Sequence, residues 1–115
     1  MAVLSIQAGA LWNRAASPPP GRGFALLVSV VDSYGRPVAG LAESDFAIAV
    51  FDKYPQAPPS ALPTTVSDFG ETGSPSGVYG MGISGLNQYS DAEAVVVIDV
   101  ASGSDTGRGL LNIVW

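Results

Sequence analysis

The amino-acid sequence predicts an all-β fold, an antiparallel β-sandwich of about seven strands, from three observations. Apolar residues recur at every second position in segment after segment, the period of a strand with one buried face. Clusters of Gly, Pro, Asp and Ser separate those segments, each a turn former for its own physical reason. No stretch of useful length repeats its apolar residues at the helical period of about 3.6.

Residues 2–8 alternate loosely, with Val3, Ser5 and Gln7 on one side and Ala2, Leu4 and Ile6 on the other, and read as a first strand. Leu11 and Trp12 then lead into NRAASPPPGRG. Consecutive prolines there favour a polyproline II path and cannot donate to a sheet ladder. Residues 1–23 are therefore an N-terminal strand plus a Pro-rich arm. SPPPG reads as a stiff connection, with a ligand for an aromatic-lined groove as the alternative.

The organising stretch is 24–52. Phe24, Leu26, Val28 and Val30 share one face of a strand, and Phe46, Ile48 and Val50 repeat the pattern. Between them DSYGRP combines side-chain-to-backbone bonding, tolerance of positive φ and a fixed φ, so the chain reverses or crosses there. KYPQAPPSALPTT is a Pro-rich connection longer than a hairpin loop. Residues 62–68 form a short edge strand, tolerating Pro63 only at its start, and FGETGSPSG follows as a long loop. Residues 78–84 place Tyr79, Met81 and Ile83 on one face and Val78, Gly80 and Gly82 on the other. In the final unit, 93–115, Val96, Ile98 and Val100 point inward, as do Leu111, Ile113 and Trp115, and Asp99 and Asn112 point outward. SGSDTGRG between them supplies the turn of a terminal hairpin.

Within VSVVDSYGRPVAGLAESDF, the residues Asp32, Gly35, Pro37, Val38, Gly40, Leu41, Asp45 and Phe46 match a D-x-x-G-x-P-V-x-G-L pattern followed by a strand-opening D-F pair. This run resembles bacterial immunoglobulin-like domains, and GVYGMGIS is similar to a G-x-Y strand of that family. Physical roles agree with the match: Gly35 relieves a turn, Pro37 opens the following segment and Leu41 plugs the end of the core. The resemblance implies an immunoglobulin-like sandwich in a modular adhesion, fibre, spacer or accessory role, and no activity.

Composition narrows the function classes. With 115 residues the chain is one domain, 1–115, able to bury a core without cross-links. It has no Cys and no His, which excludes thiolate and imidazole zinc sites and Ser-His catalysis. A net charge of −5 with a single lysine, Lys53, lacks the basic footprint that nucleic acid requires. No apolar run reaches the ~20 residues of a membrane span. The N-terminus lacks a basic region ahead of a long apolar segment, so no signal peptide is read. Charged residues make up 13% of the chain against about 25% in an average soluble domain, while 47% are hydrophobic. Either Gly, Ser, Pro and Thr supply the solvation instead, or part of the surface is covered by a partner.

No catalytic residue, cofactor site or metal site emerges. Asp32, Asp45, Asp52, Asp68, Glu71, Asp91, Asp99 and Asp105 lie at strand ends and in loops without a contiguous calcium-loop spacing, and read as turn caps. The expected interaction residues are Leu27, Val31, Val78, Gly80 and Gly82, an apolar, smooth outward set. The alternative, a carbohydrate-binding module, would stack sugars on Trp12, Tyr34, Tyr54 and Tyr89, with Phe69 a further candidate ring. The expected function is a non-enzymatic protein-interaction or assembly module that binds another protein or itself. The setting favoured is a bacterial or phage surface or a fibre-like assembly.

Overall fold

Period-two patterning produces seven strands in a computed structural model that describes residues 3–11, 23–52, 64–73, 75–84 and 93–114. They are β1 (Ser5–Leu11), β2 (Phe24–Val31), β3 (Phe46–Asp52), β4 (Thr65–Glu71), β5 (Val78–Ser84), β6 (Glu93–Ser102) and β7 (Asp105–Val114). A four-stranded sheet has the order β1-β2-β5-β4 and a three-stranded sheet the order β3-β6-β7, with every pairing antiparallel. The fold is an all-β sandwich.

The core lies where the alternation puts it. Phe24, Leu26, Val28 and Val30 of β2, Tyr79, Met81 and Ile83 of β5, Val50 of β3, Val96, Ile98 and Val100 of β6, and Ile113 of β7 are buried. Phe46, Ile48 and Leu111 pack against this cluster and are half-buried. They sit on β3 and β7, the outer strands of their sheet. Leu4 and Ala94 complete the core from outside the expected set.

The DSYGRP connection crosses from one sheet to the other. Asp32 Oδ1 accepts from the backbone N–H groups of Tyr34 (2.9 Å) and Arg36 (3.0 Å), and Gly35 takes φ +79° in the resulting turn. Pro37 bridges back to Val31, and Val38 N–H donates to the Val30 carbonyl. A 3-10 turn at Glu43–Asp45 then delivers the chain to β3. Leu41 is buried at this crossing, as its role as a plug requires.

Several boundaries differ from the sequence reading. The first strand begins at Ser5, because Val3 bridges Thr106 in parallel and Leu4 N–H donates to the Thr106 carbonyl, tying the chain start to β7 instead. The fourth strand runs Thr65–Glu71, so Phe69, Gly70 and Glu71 belong to a strand and not to a long loop; a bulge between Ser67 and Gly70, with Asp68 at φ +54°, hides its period. The terminal hairpin turns at Gly103 and Ser104 alone, Ser102 pairing with Asp105, so most of SGSDTGRG is strand. Gly107 and Gly109 are glycines because β1 crosses them closely. A Cβ on Gly107 would collide with the Leu4 carbonyl, and one on Gly109 would stand 2.8 Å from Ile6 Cγ2. The C-terminal strand is paired within the chain, with β6, as the short turn favours. Trp115 and the Pro-rich arm lie outside the described residues.

Candidate interaction surface

Alternation along β2 and β5 turns Leu27, Val31, Val78, Gly80 and Gly82 to the outer face of the four-stranded sheet, and strand register brings them together. The central row across this sheet is Gly9, Leu27, Gly80 and Gly70, so one leucine stands among three glycines. The row beside it is Leu11, Ala25, Gly82 and Ser67, and on the other side run Gln7, Ser29 and Val78. Val31 lies further along β2, opposite Ser5.

The glycines shape this face in two ways. Gly82 admits Ser67 of β4, whose Oγ would stand 2.9 Å from a Cβ there. Gly80 leaves room for Leu27, whose Cδ2 lies 3.6 Å from where a Cβ would be. Leu27 is 53% exposed and Leu11 78% exposed, whereas Val31 and Val78 are half-buried. A shallow depression of about 320 Å³ beside Leu27 is lined by Gln7, Ala8, Gly9, Leu27, Ser29 and Val78. The outward residues of β1, β2 and β5 include no charged side chain.

The opposite outer face, on β3, β6 and β7, escaped the sequence reading. Ala49, Val97 and Leu110 form one row and Phe51, Val95 and Asn112 the next. Leu110 is 67% exposed. The available signal was the near-continuous apolar run AVVVIDV, a pattern usual for strands covered on both faces. Its charged pair is internal: Arg108 Nε donates to Asp99 Oδ1 at 2.6 Å and Arg108 Nη2 to Asp99 Oδ2 at 3.1 Å. The Arg108 guanidinium holds the Asp99 carboxyl below its ordinary range.

Three other carboxylates, Asp32, Asp45 and Glu71, serve the chain's own backbone. Asp32 is held below its ordinary range by the Arg36 and Tyr34 N–H groups and by the Arg36 guanidinium 3.3 Å away. Asp45 Oδ2 accepts from Ala42 N–H at 2.9 Å. Glu71 accepts from Gly77 N–H at 2.9 Å and Gly40 N–H at 3.0 Å, and these two donors lower its pKa. Among the described residues no three acidic side chains gather as a metal site would need.

Of the candidate sugar-stacking rings, Tyr34 is 81% exposed, with the Arg36 guanidinium 5.0 Å from its ring centre. Trp12, Tyr54 and Tyr89 lie outside the described residues. Phe69 is no loop ring. It is half-buried, 5.3 Å from Phe46 and 5.9 Å from Tyr79 between ring centres, because the β4 bulge turns it into the sandwich.

Comparison with protein-family models, with curated proteins and with solved structures returned no match in any of the three.

Proposed function

We propose that this protein is a non-enzymatic interaction or assembly module of immunoglobulin-like architecture. Its setting in this reading is a subunit or accessory domain of a bacterial or phage surface or fibre-like assembly. The orders β1-β2-β5-β4 and β3-β6-β7 correspond to the ABED and CFG sheets of a constant-type immunoglobulin sandwich, which supports the architectural part of the reading. The module role rests on one observation. In a chain of net charge −5, the outward residues of β1, β2 and β5 carry no charge, with Leu27 exposed at their centre. Uncharged apolar surface of this kind is costly to leave in water and characteristic of interaction sites.

The test is sedimentation velocity over a range of concentrations in low and high salt, on the wild type and Leu27→Asp. Association that persists in salt and disappears in the variant supports the reading, since apolar contacts are little screened. A chain that stays monomeric throughout, yet binds glycans in a manner lost on Tyr34→Ala, replaces it with the carbohydrate-binding alternative.

A further inference from the structure

The two sides of the sandwich are closed differently. On one side, Val3 and Leu4 bond to Thr106 and Ile6 lies over Gly109, so β1 seals against β7. On the other, the edges of the two sheets, β3 and β4, face each other through the Phe46–Phe69 ring contact. Half-buried Phe46, Ile48, Val66 and Phe69 line that side. β4 is blunted as an edge by its bulge at Asp68. β3 is not. It pairs with β6 without interruption from Phe46 to Asp52 and contains no Gly, no Pro and no charge before Asp52. Beyond that ladder and the Phe46 N–H bond to the Glu43 carbonyl, the described residues give the backbone of 46–51 no further hydrogen bond. Such an edge is a template for strand addition.

Charge selects the occupant. The charged residues of β3, of β4 and of the 3-10 turn before β3 are Glu43, Asp45, Asp52, Asp68 and Glu71, all acidic. The described arginines are already held elsewhere, Arg36 by Asp32 and Arg108 by Asp99. Lys53 follows β3 outside the described residues. Pairing β3 with β3 of a second copy would bring these carboxylates together.

We propose that this side of the sandwich binds an extended segment of another protein, apolar at alternate positions and bearing Lys or Arg at its ends, which adds to β3 as a further strand. Its inward side chains cover Ile48 and Val66, its outward ones continue the face of Ala49 and Phe51, and its basic ends meet the acidic rim. The site is separate from the Leu27 face, so either can stand without the other.

The test is a nuclear magnetic resonance titration of the full chain with two synthetic peptides of alternating valine and threonine, one ending in arginine on both sides and one in glutamate. The arginine-ended peptide is expected to shift the amide signals of Phe46, Ile48 and Phe51. It should bind about tenfold more tightly than the glutamate-ended one, because the acidic rim attracts the ends of the first and repels those of the second. That preference should shrink in high salt and in Glu43→Gln/Asp68→Asn, changes at two exposed positions that leave the core untouched. Equal binding of both peptides, or shifts confined to β1, β2 and β5, would overturn the proposal. So would β3 signals that move with protein concentration alone, which would make the occupant a second copy.

Discussion

The hydroxyl of Tyr79, on β5, donates to the Val38 carbonyl at 2.7 Å, joining a strand of the four-stranded sheet to the segment that crosses between the sheets. The same oxygen accepts from Leu41 N–H at 3.1 Å, so one buried side chain satisfies two backbone groups of the crossing. Tyr79→Phe keeps the ring packing and strands both groups. Urea denaturation should show a loss of about 1–3 kcal/mol.

Tyr79 also sets part of the alkaline limit. Burial, reinforced by the charges of Glu71 and Asp45, pushes its hydroxyl above the ordinary 10.0 despite the opposing Leu41 hydrogen bond. A raised folded-state pKa contributes stability that is present below the unfolded value and lost as pH rises through the folded one. Denaturation midpoints measured upward from pH 10 should fall more steeply in the wild type than in Tyr79→Phe.

Glu71 acts at the opposite limit. Its carboxylate receives Gly77 and Gly40 N–H groups, and its folded pKa lies below the ordinary 4.5. The stability it contributes is complete above 4.5 and lost as pH falls through the folded value. Glu71→Gln should flatten the acid limb of a midpoint-against-pH series. Because its partners are neutral amides, this contribution should respond less to salt than the Asp99–Arg108 pair.

Neighbouring positions on β2 should behave in opposite ways. Val28 is fully buried and Leu27 is exposed. Val28→Asp buries an unpaired charge and should cost about 4 kcal/mol or more, enough to unfold the domain. Leu27→Asp should leave the thermal midpoint nearly unchanged and remove self-association.

Glycine tolerance should follow what crosses above each residue. A methyl on Gly107 meets the backbone of Leu4, whereas one on Gly9 meets nothing within 4 Å. Gly107→Ala should destabilise by about 1–3 kcal/mol. Gly9→Ala should stay within about 0.5 kcal/mol of wild type by the same denaturation measurement.

The strands β2, β5 and β6 and their inward residues were legible in the amino-acid sequence, because alternation is a local property of a chain with one buried face. The Leu27 face was legible for the same reason: once Leu26 and Val28 point inward, Leu27 points out. Three features were not. The glycines of β7 read as turn residues, since nothing local says that β1 will pass within contact of them. The bulge at Asp68 breaks the period of β4 and sends Phe69 inward, which only its neighbours β5 and β3 explain. The apolar outer face of β3, β6 and β7 was missed although Asp99 marks which side of β6 faces out, because only pairing across three strands brings Ala49, Val97 and Leu110 into one row. Sequence by itself determined which residues leave water; tertiary structure decided which strand stands beside which. That order makes β3 an edge and seals β1 to β7, because hydrogen-bonded strand neighbours are set by long-range pairing, which no local period encodes.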